Sequence, residues 1–247
     1  MQTINLKRLI DHTNLQADAS KEDITKLAQE AKTFGFNSIC IRPKWVKEFS
    51  SLYKCCTVTS FPQEVFQIDS INQVKNQIGN FSYEEKSKEF RQAMQDRAFE
   101  IDPVINISKL EDLKEEMAVY YDAVIYLATS VFIKPIFSCE ILSDDELEFS
   151  IAKFSEFARV SQYENIRYCY KNSTGFIKSD NPELLKTTSK ELVVKIKKYF
   201  DIYDPHEVVS FKIAGGIKSL EDIEVYQGIC GDRLTHIGTS SGVKIFS

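Results

Sequence analysis

The amino-acid sequence predicts an α/β protein, a TIM (β/α)8 barrel that occupies residues 1–247 as a single domain. Three observations support this fold class. Short β-branched or aromatic runs alternate with helical stretches, and eight such units in 247 residues match the usual size of this barrel. Polar loops that contain glycine follow the last strands. No low-complexity or Pro/Gly-rich segment divides the chain into two domains.

Eight strands are expected, because eight segments are short, apolar or β-branched, and bounded by turn residues. In chain order they lie near Leu9–Thr13, Ser38–Ile41, Cys55–Ser60, Ile101–Ile107, Phe132–Phe137, Tyr168–Lys171, Val208–Ile213 and Thr235–Gly238.

Apolar residues three and four positions apart predict helices between these strands. The first clear helix is capped by Ser20 and ends at Gly35. Another is capped by Ser219 and closed by Gly228 or Gly231. Both are expected to be scaffold.

Two connections differ from the others in composition. Residues 63–99 are strongly polar, which predicts two helical pieces with a break near Gly79 and Asn80. Residues 118–137 are the most apolar part of the chain, but Asp122, Lys134 and Pro135 interrupt them. This pattern indicates a buried helix that runs into a strand, and not a membrane span.

The composition excludes several classes of protein. A net charge of −5 and an isoelectric point near 5.4 give no general attraction for nucleic acid or an anionic membrane. Six scattered cysteines without a CxxC pair or a signal peptide indicate reduced thiols in a cytoplasmic protein. The three histidines lack HxH or HExxH spacing, which disfavours a zinc-dependent enzyme. No cofactor is expected.

Two lysines have matching positions late in the chain: Lys171 in YCYKNSTGF and Lys212 in VVSFKIAGG. A lysine at the apolar end of a strand is unusual, because an ammonium is rarely buried without a partner. An amine that attacks a carbonyl needs its pKa lowered by about three units. A second ammonium about 5 Å away supplies roughly two of them. The alternative is that both lysines are solvated at strand ends.

Small residues follow the seventh and eighth predicted strands, where barrels of this class often bind anions. Gly215 and Gly216 lie in IAGGIKS, and Ser240 and Ser241 lie in HIGTSSGV. Backbone N–H groups and serine hydroxyls in such loops favour a phosphate site. The alternative is that both segments are ordinary turns.

These features belong to a series of motifs, LIDHTNL, SICIRPKWV, CCTVTSFP, EIDPVINI, YKNSTGF, FKIAGGIKSLED and HIGTSSGVKIF. The series resembles the deoxyribose-phosphate aldolase family, in the family's own order, from Leu9 to Phe246. The resemblance implies a class I aldolase, without metal, that reversibly cleaves 2-deoxy-D-ribose 5-phosphate to D-glyceraldehyde 3-phosphate and acetaldehyde. The expected partner is therefore a small phosphosugar, and since such barrels often pair, a homodimer is also expected.

The resemblance also implies roles for individual residues. Lys171 matches the Schiff-base lysine, Lys212 the second lysine that activates it, and Asp102 the aspartate of the proton relay. The implied substrate pocket comprises Asp11, Thr13, Leu15, Cys40 and Thr174, and the implied phosphate loops comprise Gly175, Gly215, Gly216, Ser240 and Ser241.

The chain departs from the family pattern at several places. Gln63 and Glu64 follow TSFP, so we expect a remodelled loop there. Pro103 in the fourth strand lacks an N–H group, which predicts a bulge that shifts Asp102.

Two further departures lie closer to the lysines. Ser138 stands where an acidic residue is common, with Glu140 two positions later on the same face. Asn172 stands where threonine is usual, a change that hydrogen bonding would accommodate.

Two alternatives to this activity remain open on the sequence. One is a related lysine-dependent aldolase that acts on another phosphosugar, which the remodelled third loop would favour. The other is a non-catalytic barrel that binds sugar phosphates, in which Lys171 would be solvated and protonated.

Overall fold

Eight parallel strands close into a barrel in the computed structural model, which describes residues 5–127, 130–161, 166–181 and 188–247. The barrel strands are β1 (Ile10–Asn14), β2 (Ser38–Ile41), β3 (Cys55–Thr59), β5 (Glu100–Pro103), β6 (Val131–Ile133), β7 (Ile166–Lys171), β9 (Val209–Ala214) and β10 (Leu234–Thr239), and two short strands outside it are β4 (Phe66–Gln67) and β8 (Ile177–Lys178). Around the barrel the order is β1, β10, β9, β7, β6, β5, β3, β2. The predicted fold class is confirmed.

Helices follow the barrel strands and cover the outside of the sheet. They are α1 (Lys21–Phe34), α2 (Pro43–Phe49), α3 (Ile71–Lys75), α4 (Tyr83–Gln95), α5 (Leu113–Leu127), α6 (Asp144–Val160), α7 (Lys190–Tyr203), α8 (Leu220–Cys230) and α9 (Gly242–Phe246). Ser20 caps α1 through a reciprocal pair with Asp23, and Gly35 ends it in the left-handed conformation. Ser219 caps α8, and Gly231 closes it.

The connection between β3 and β5 contains the two predicted helical pieces, α3 and α4, with the break between them near Gly79. Gly79 has φ of 63°, and a Cβ placed there would lie 2.4 Å from the carbonyl oxygen of Ile105. The break therefore requires glycine for two reasons, since a side chain would be strained and would also collide with the backbone.

A two-stranded parallel sheet, which the sequence did not predict, ties two loops together. Phe66 of β4 pairs with Ile177 of β8, and the Ser179 hydroxyl donates to the carbonyl oxygen of Ile68 at 2.9 Å. This sheet fastens the loop after β3 to the loop after β7.

The bulge predicted at Pro103 is wrong. The β3–β5 ladder runs without a register shift from Cys56 opposite Glu100 to Thr59 opposite Pro103. Pro103 is the last residue of β5, and its carbonyl oxygen still accepts from the Ile136 N–H at 2.8 Å. A proline at the end of a strand removes one N–H donor without bending the ladder. The strand β5 is therefore shorter than predicted, and Asp102 stays in regular register opposite Val58.

All six cysteines are buried and free, as the sequence predicted. Across the described parts of the chain, no helix combines the length and the apolar character that crossing a membrane demands.

Candidate active site

Lys171 and Lys212 lie at paired register positions on the neighbouring strands β7 and β9. Side chains at paired positions point to the same side of a sheet, and here both point into the barrel. Lys171 is 3% exposed and Lys212 is fully buried. The expectation that the lysines share one site is confirmed, and the alternative of solvated strand ends is wrong.

One oxygen of Asp102 joins the two lysines. Its Oδ2 accepts from Lys171 Nζ at 2.8 Å and from Lys212 Nζ at 2.9 Å. Burial alone would raise the pKa of Asp102, but the ammonium groups of Lys134, Lys171 and Lys212 lower it far below its ordinary value. The Asp102 carboxylate is therefore ionised at neutral pH.

Lys134 is a third lysine of this cluster and was not among the site residues predicted from the sequence. Its Nζ lies 3.1 Å from Asp11 Oδ2 and 3.4 Å from Asp102 Oδ1, and it also pairs with Glu100. The sequence could have predicted it, because Lys134 interrupts an apolar segment in the same way as Lys171 and Lys212.

Asp11 is the second carboxylate that holds Lys212. Its Oδ2 accepts from Lys212 Nζ at 2.6 Å, while its Oδ1 accepts from the Ser38 hydroxyl at 2.6 Å. Burial lowers the pKa of Lys212, but the Coulomb attraction of Asp102 and Asp11 outweighs it and holds the pKa well above its ordinary value. Lys212 is thus a permanent cation beside Lys171.

The charges of the cluster also bear on the proton of Lys171. Asp102 has Lys134 and Lys212 as further partners. A neutral Lys171 would therefore leave Asp102 still paired, which avoids the large cost of a buried unpaired carboxylate.

A cleft of about 580 Å³ opens above this cluster at the carboxyl ends of the strands. The predicted site residues that line it are Thr13, Leu15, Lys171, Thr174, Gly175, Gly215, Gly216, Ser240 and Ser241. Asp11, Cys40, Asp102 and Lys212 lie buried beneath, outside the lining. The cleft therefore meets the charged cluster through Lys171.

Gly215 and Gly216 have left-handed backbones, with φ of 89° and 77°. A Cβ on Gly215 would lie 3.3 Å from the hydroxyl of Ser173, so this loop packs closely on the loop after β7. Lys178 and Lys218 also line the cleft and add positive charge beside these loops. Neither lysine could be recognised as a site residue from the sequence, because exposed lysines carry no distinctive pattern.

The backbone N–H of Gly175 is already used within its own loop. It donates to the Ser173 hydroxyl at 2.9 Å, and the Phe176 N–H donates to the Thr174 hydroxyl at 3.1 Å. Gly175 lines the cleft, but its N–H is bonded to Ser173. The donors left for a phosphate are therefore other groups of these loops.

Glu140 lies behind this loop, in a 3₁₀ turn that follows β6. Its Oε1 accepts from the Ser173 hydroxyl at 2.7 Å, while its Oε2 has no hydrogen-bond partner among the described residues. Burial raises the pKa of Glu140 to about 7, against the hydrogen bond from Ser173 and the charge of Lys171. Since β6 ends at Ile133, Glu140 is presented by a turn and not by the strand face that was predicted.

Asn172 hydrogen-bonds across to the next strand, as expected. Its Oδ1 accepts from the Ala214 N–H at 2.8 Å, and its Nδ2 donates to the Thr188 hydroxyl at 2.8 Å. The amide thereby fastens the end of β7 to the end of β9, immediately beside Lys171.

Two histidines take scaffold roles in pairs with carboxylates. His12 lines the cleft and its Nε2 lies 2.9 Å from Glu30 Oε2. His236 Nε2 lies 3.3 Å from Glu100 Oε1, and burial lowers the pKa of His236, so its imidazole is neutral near pH 7.

The fold brings together donor atoms that no sequence spacing revealed. Ligand atoms of Cys40, Cys56 and Asp102 lie within 4.8 Å of one another, as do those of Asp11, Cys56 and Glu100. Burial raises the pKa of the Cys56 thiol well above its ordinary value, and metal binding requires the thiolate. The carboxylates are already paired with lysines, so these groups fit a metal ion poorly.

Comparison with known proteins shows full-length relatives of one kind. No protein-family model matches the chain. The deoxyribose-phosphate aldolase of Lysinibacillus sphaericus is 32% identical over 98% of this chain and 95% of its own length. That of Streptococcus uberis is 31% identical over 99% and 96%.

Solved structures show the same fold. The aldolase QR15 is 26% identical, with a TM-score of 0.74 over 98% of this chain and 95% of its own. The tetrameric deoxyribose phosphate aldolase of Aeropyrum pernix is 24% identical, with a TM-score of 0.71 over 97% and 88%, and shows the fold alone.

Proposed function

The chain belongs to the deoxyribose-phosphate aldolase family, and from this we propose that it reversibly cleaves 2-deoxy-D-ribose 5-phosphate to D-glyceraldehyde 3-phosphate and acetaldehyde. The observation that carries the proposal is the position of Lys171. Among the described residues, Lys171 is the one lysine that lines the cleft and also donates to Asp102. Asp102 accepts from the buried Lys212 as well.

Lys171 supplies the nucleophile. Its neutral amine attacks C1 of the open-chain sugar, and the resulting carbinolamine loses water to give a protonated imine. The C3 hydroxyl then loses its proton, the C2–C3 bond breaks, and its electron pair moves into the iminium to form an enamine. Glyceraldehyde 3-phosphate leaves. Protonation of the enamine at C2 and hydrolysis of the imine release acetaldehyde and restore the lysine.

Asp102 moves protons for these steps, and Lys212 contributes its charge. Asp102 Oδ2 is hydrogen-bonded to both lysines, at 2.8 and 2.9 Å, so it is placed to receive a proton from Lys171 and to return one to the carbinolamine hydroxyl. Lys212, held as a cation by Asp102 and Asp11, supplies a fixed positive charge beside the reacting amine.

The loops after β9 and β10 hold the phosphate. Gly215 and Gly216 leave the backbone open, and the serines of the loop after β10, Ser240 and Ser241, lie on the same cleft. Lys178 adds a charge there, which a dianionic phosphate requires. Thr13, Leu15 and Thr174 line the same cleft and would contact the sugar, and Asp11 and Cys40 lie buried beneath it.

The alternatives have less support. A non-catalytic barrel would need a solvated Lys171, whereas this residue is 3% exposed and ion-paired. An aldolase for another phosphosugar would be favoured if the loop after β3 narrowed or widened the cleft, and the pairing of β4 in this loop with β8 is evidence for neither change. Neither observation supports a substrate other than 2-deoxy-D-ribose 5-phosphate.

We also infer that residues 1–247 act as one catalytic domain and that the protein is a cytoplasmic homodimer. Buried free cysteines support a reducing compartment, and the Aeropyrum pernix relative is described as a tetramer, so self-association occurs in this fold. Light scattering on the purified protein should give twice the 28.4 kDa of one chain. A mass of one chain would contradict the dimer.

Borohydride trapping in the presence of acetaldehyde tests the mechanism. Peptide mapping should locate one reduced adduct on Lys171, and Lys171→Leu should abolish it. The matched control is Lys178→Leu, which removes another lysine of the cleft but should leave the adduct intact, because acetaldehyde has no phosphate. Measurable aldolase activity with an unmodified Lys171 would contradict the proposal.

A further inference from the structure

The guanidinium of Arg42 is buried where three loops of the catalytic face meet. Arg42 follows β2, precedes α2, and is 5% exposed. Its Nε donates to the carbonyl oxygen of Leu15 at 2.7 Å, and its Nη2 donates to that of Gln63 at 3.2 Å. These acceptors belong to the loops after β1 and β3, so one side chain bonds both.

Two aromatic rings complete the surroundings of Arg42. Its Cζ lies 5.2 Å from the ring centroid of Phe61 and 5.7 Å from that of Phe176, in the range of cation–π contacts. The two rings meet edge to face, with centroids 4.8 Å apart. Phe176 belongs to the loop after β7, which carries Thr174 and Gly175, so the guanidinium also reaches the loop beside Lys171.

Arg42 lies behind the cleft wall and does not line the cleft itself. Leu15 and Phe176 line the cleft, whereas Arg42, Phe61 and Gln63 line a separate cavity of about 620 Å³ on the other side. The side chain therefore lies in the wall between the two cavities. Any influence of Arg42 on a bound substrate passes through Leu15 and Phe176.

The two-stranded sheet extends the same wall. The Phe66 N–H donates to the carbonyl oxygen of Phe176 at 2.8 Å, and the Ile68 N–H donates to that of Lys178 at 2.9 Å. The loop after β3 is thus bound to the loop after β7 at two places: through β4 and β8, and through the contact of Arg42 with Phe61, Phe176 and Gln63.

We propose that Arg42 is a positioning residue that holds Leu15 and Phe176 in the cleft wall and thereby sets the affinity for the phosphosugar. The inference rests on the proposed function. Arginine suits this place because its planar fork donates in two directions while its face contacts aromatic rings, whereas the ammonium of lysine is a single point charge. Leu15 and Phe176 are cleft residues outside the Lys171–Asp102–Lys212 cluster, so the wall is expected to affect substrate binding and not bond making.

Arg42→Met tests the proposal, because methionine keeps contact with the rings and loses both hydrogen bonds. The KM for deoxyribose 5-phosphate should rise about tenfold, with kcat changed less than about threefold. Arg42→Lys should lie between. Deuterium uptake by peptides that contain β4 and β8 should become faster in Arg42→Met, a readout that does not depend on activity. Trapping of acetaldehyde on Lys171 should be unchanged.

Lys44→Met is the matched control. Lys44 lies two residues from Arg42 and also donates to the loop after β1, at 2.9 Å to the carbonyl oxygen of Ala17, but it is exposed. Its loss should leave KM and deuterium uptake unchanged.

Three results would overturn the proposal: an unchanged KM in folded Arg42→Met, a parallel loss of trapping on Lys171, or a control variant that behaves like Arg42→Met. If Arg42→Met does not fold, Arg42→Lys provides the same comparison. Absence of trapping in the unaltered protein would refute the proposed function instead. In that case unchanged deuterium uptake in the Arg42 variants would refute the positioning role separately.

Discussion

Lys171 and Lys212 are register partners on adjacent strands, and both donate to the same oxygen, Asp102 Oδ2. They differ in access, since Lys171 lines the cleft and Lys212 is fully buried between Asp102 and Asp11. The same pair of strands therefore presents one lysine to a substrate and keeps the other as a fixed charge.

Replacing Lys212 with leucine should slow the reaction sharply at neutral pH and restore part of the rate at high pH. Lys212→Leu removes the fixed positive charge beside the reacting amine, and high pH can replace the like-charge repulsion that is lost with it. The measurement is kcat/KM between pH 7 and 10. Lys212→Arg, which keeps the charge, should show less recovery at high pH, and a Lys212→Leu profile that is flat would contradict the electrostatic role.

Asp102→Asn should lower kcat by a factor of about 10² to 10⁴, the range typical for loss of a positioned acid–base group. The amide is nearly isosteric but cannot carry a proton between the lysine and the carbinolamine. Single-turnover trapping with acetaldehyde and borohydride should show slower formation of the Lys171 adduct. Glu30→Gln, which removes a carboxylate at the cleft rim, serves as control, and equal rates for Asp102→Asn and the unaltered protein would exclude the relay.

Chelators should leave activity unchanged, and added Zn²⁺ should not increase it. Cys56 and Asp102 lie close to Cys40, but the raised pKa of Cys56 keeps a proton on the sulfur, and three lysines surround the carboxylates. A divalent cation would meet these ammonium groups at short range. Activity assays after dialysis against EDTA check this, and a loss that Zn²⁺ restores would contradict it.

The pairing of Lys171 with Lys212 could be predicted from the sequence, because strand alternation and the following glycines fix which way each side chain points. The burial of Asp11 and Cys40 beneath the cleft could not, since depth within a barrel depends on how far each strand is staggered against its neighbours. The two-residue strands β4 and β8 were also beyond prediction, as periodicity needs longer segments. The bulge predicted at Pro103 was wrong because the sequence does not show that β5 ends at this residue.

Gly79→Ala should destabilise the fold by about 3 kcal/mol or more, because the new Cβ would lie 2.4 Å from the Ile105 carbonyl oxygen in addition to adopting a left-handed backbone. Gly35→Ala is the control for backbone strain alone. Gly35 has φ of 72° with nothing within 4 Å of its Cβ position, so its substitution should cost only about 1 kcal/mol. Urea unfolding measures both, and equal losses would exclude the collision.

Glu140→Gln should stabilise the protein at pH 8 and have little effect at pH 4.5. Burial raises the pKa of Glu140 from 4.5 in the unfolded chain to about 7 in the fold. The protonated acid therefore favours the fold fully below pH 4.5, and this contribution is lost as the pH rises through 7. Above pH 7 the folded protein bears the cost of a buried charge, about 3 kcal/mol from the shift.

Glutamine resembles the protonated acid and still accepts the hydrogen bond from Ser173, so it removes the pH dependence and not the contact. Urea unfolding of Glu140→Gln at pH 4.5 and pH 8 should therefore show a gain over the unaltered protein at pH 8 alone. Glu224→Gln on the exposed face of α8 is the control and should change stability equally little at both values. A gain of the same size at both pH values would contradict the prediction, because the stabilisation would then come from glutamine itself and not from removing a buried charge at position 140.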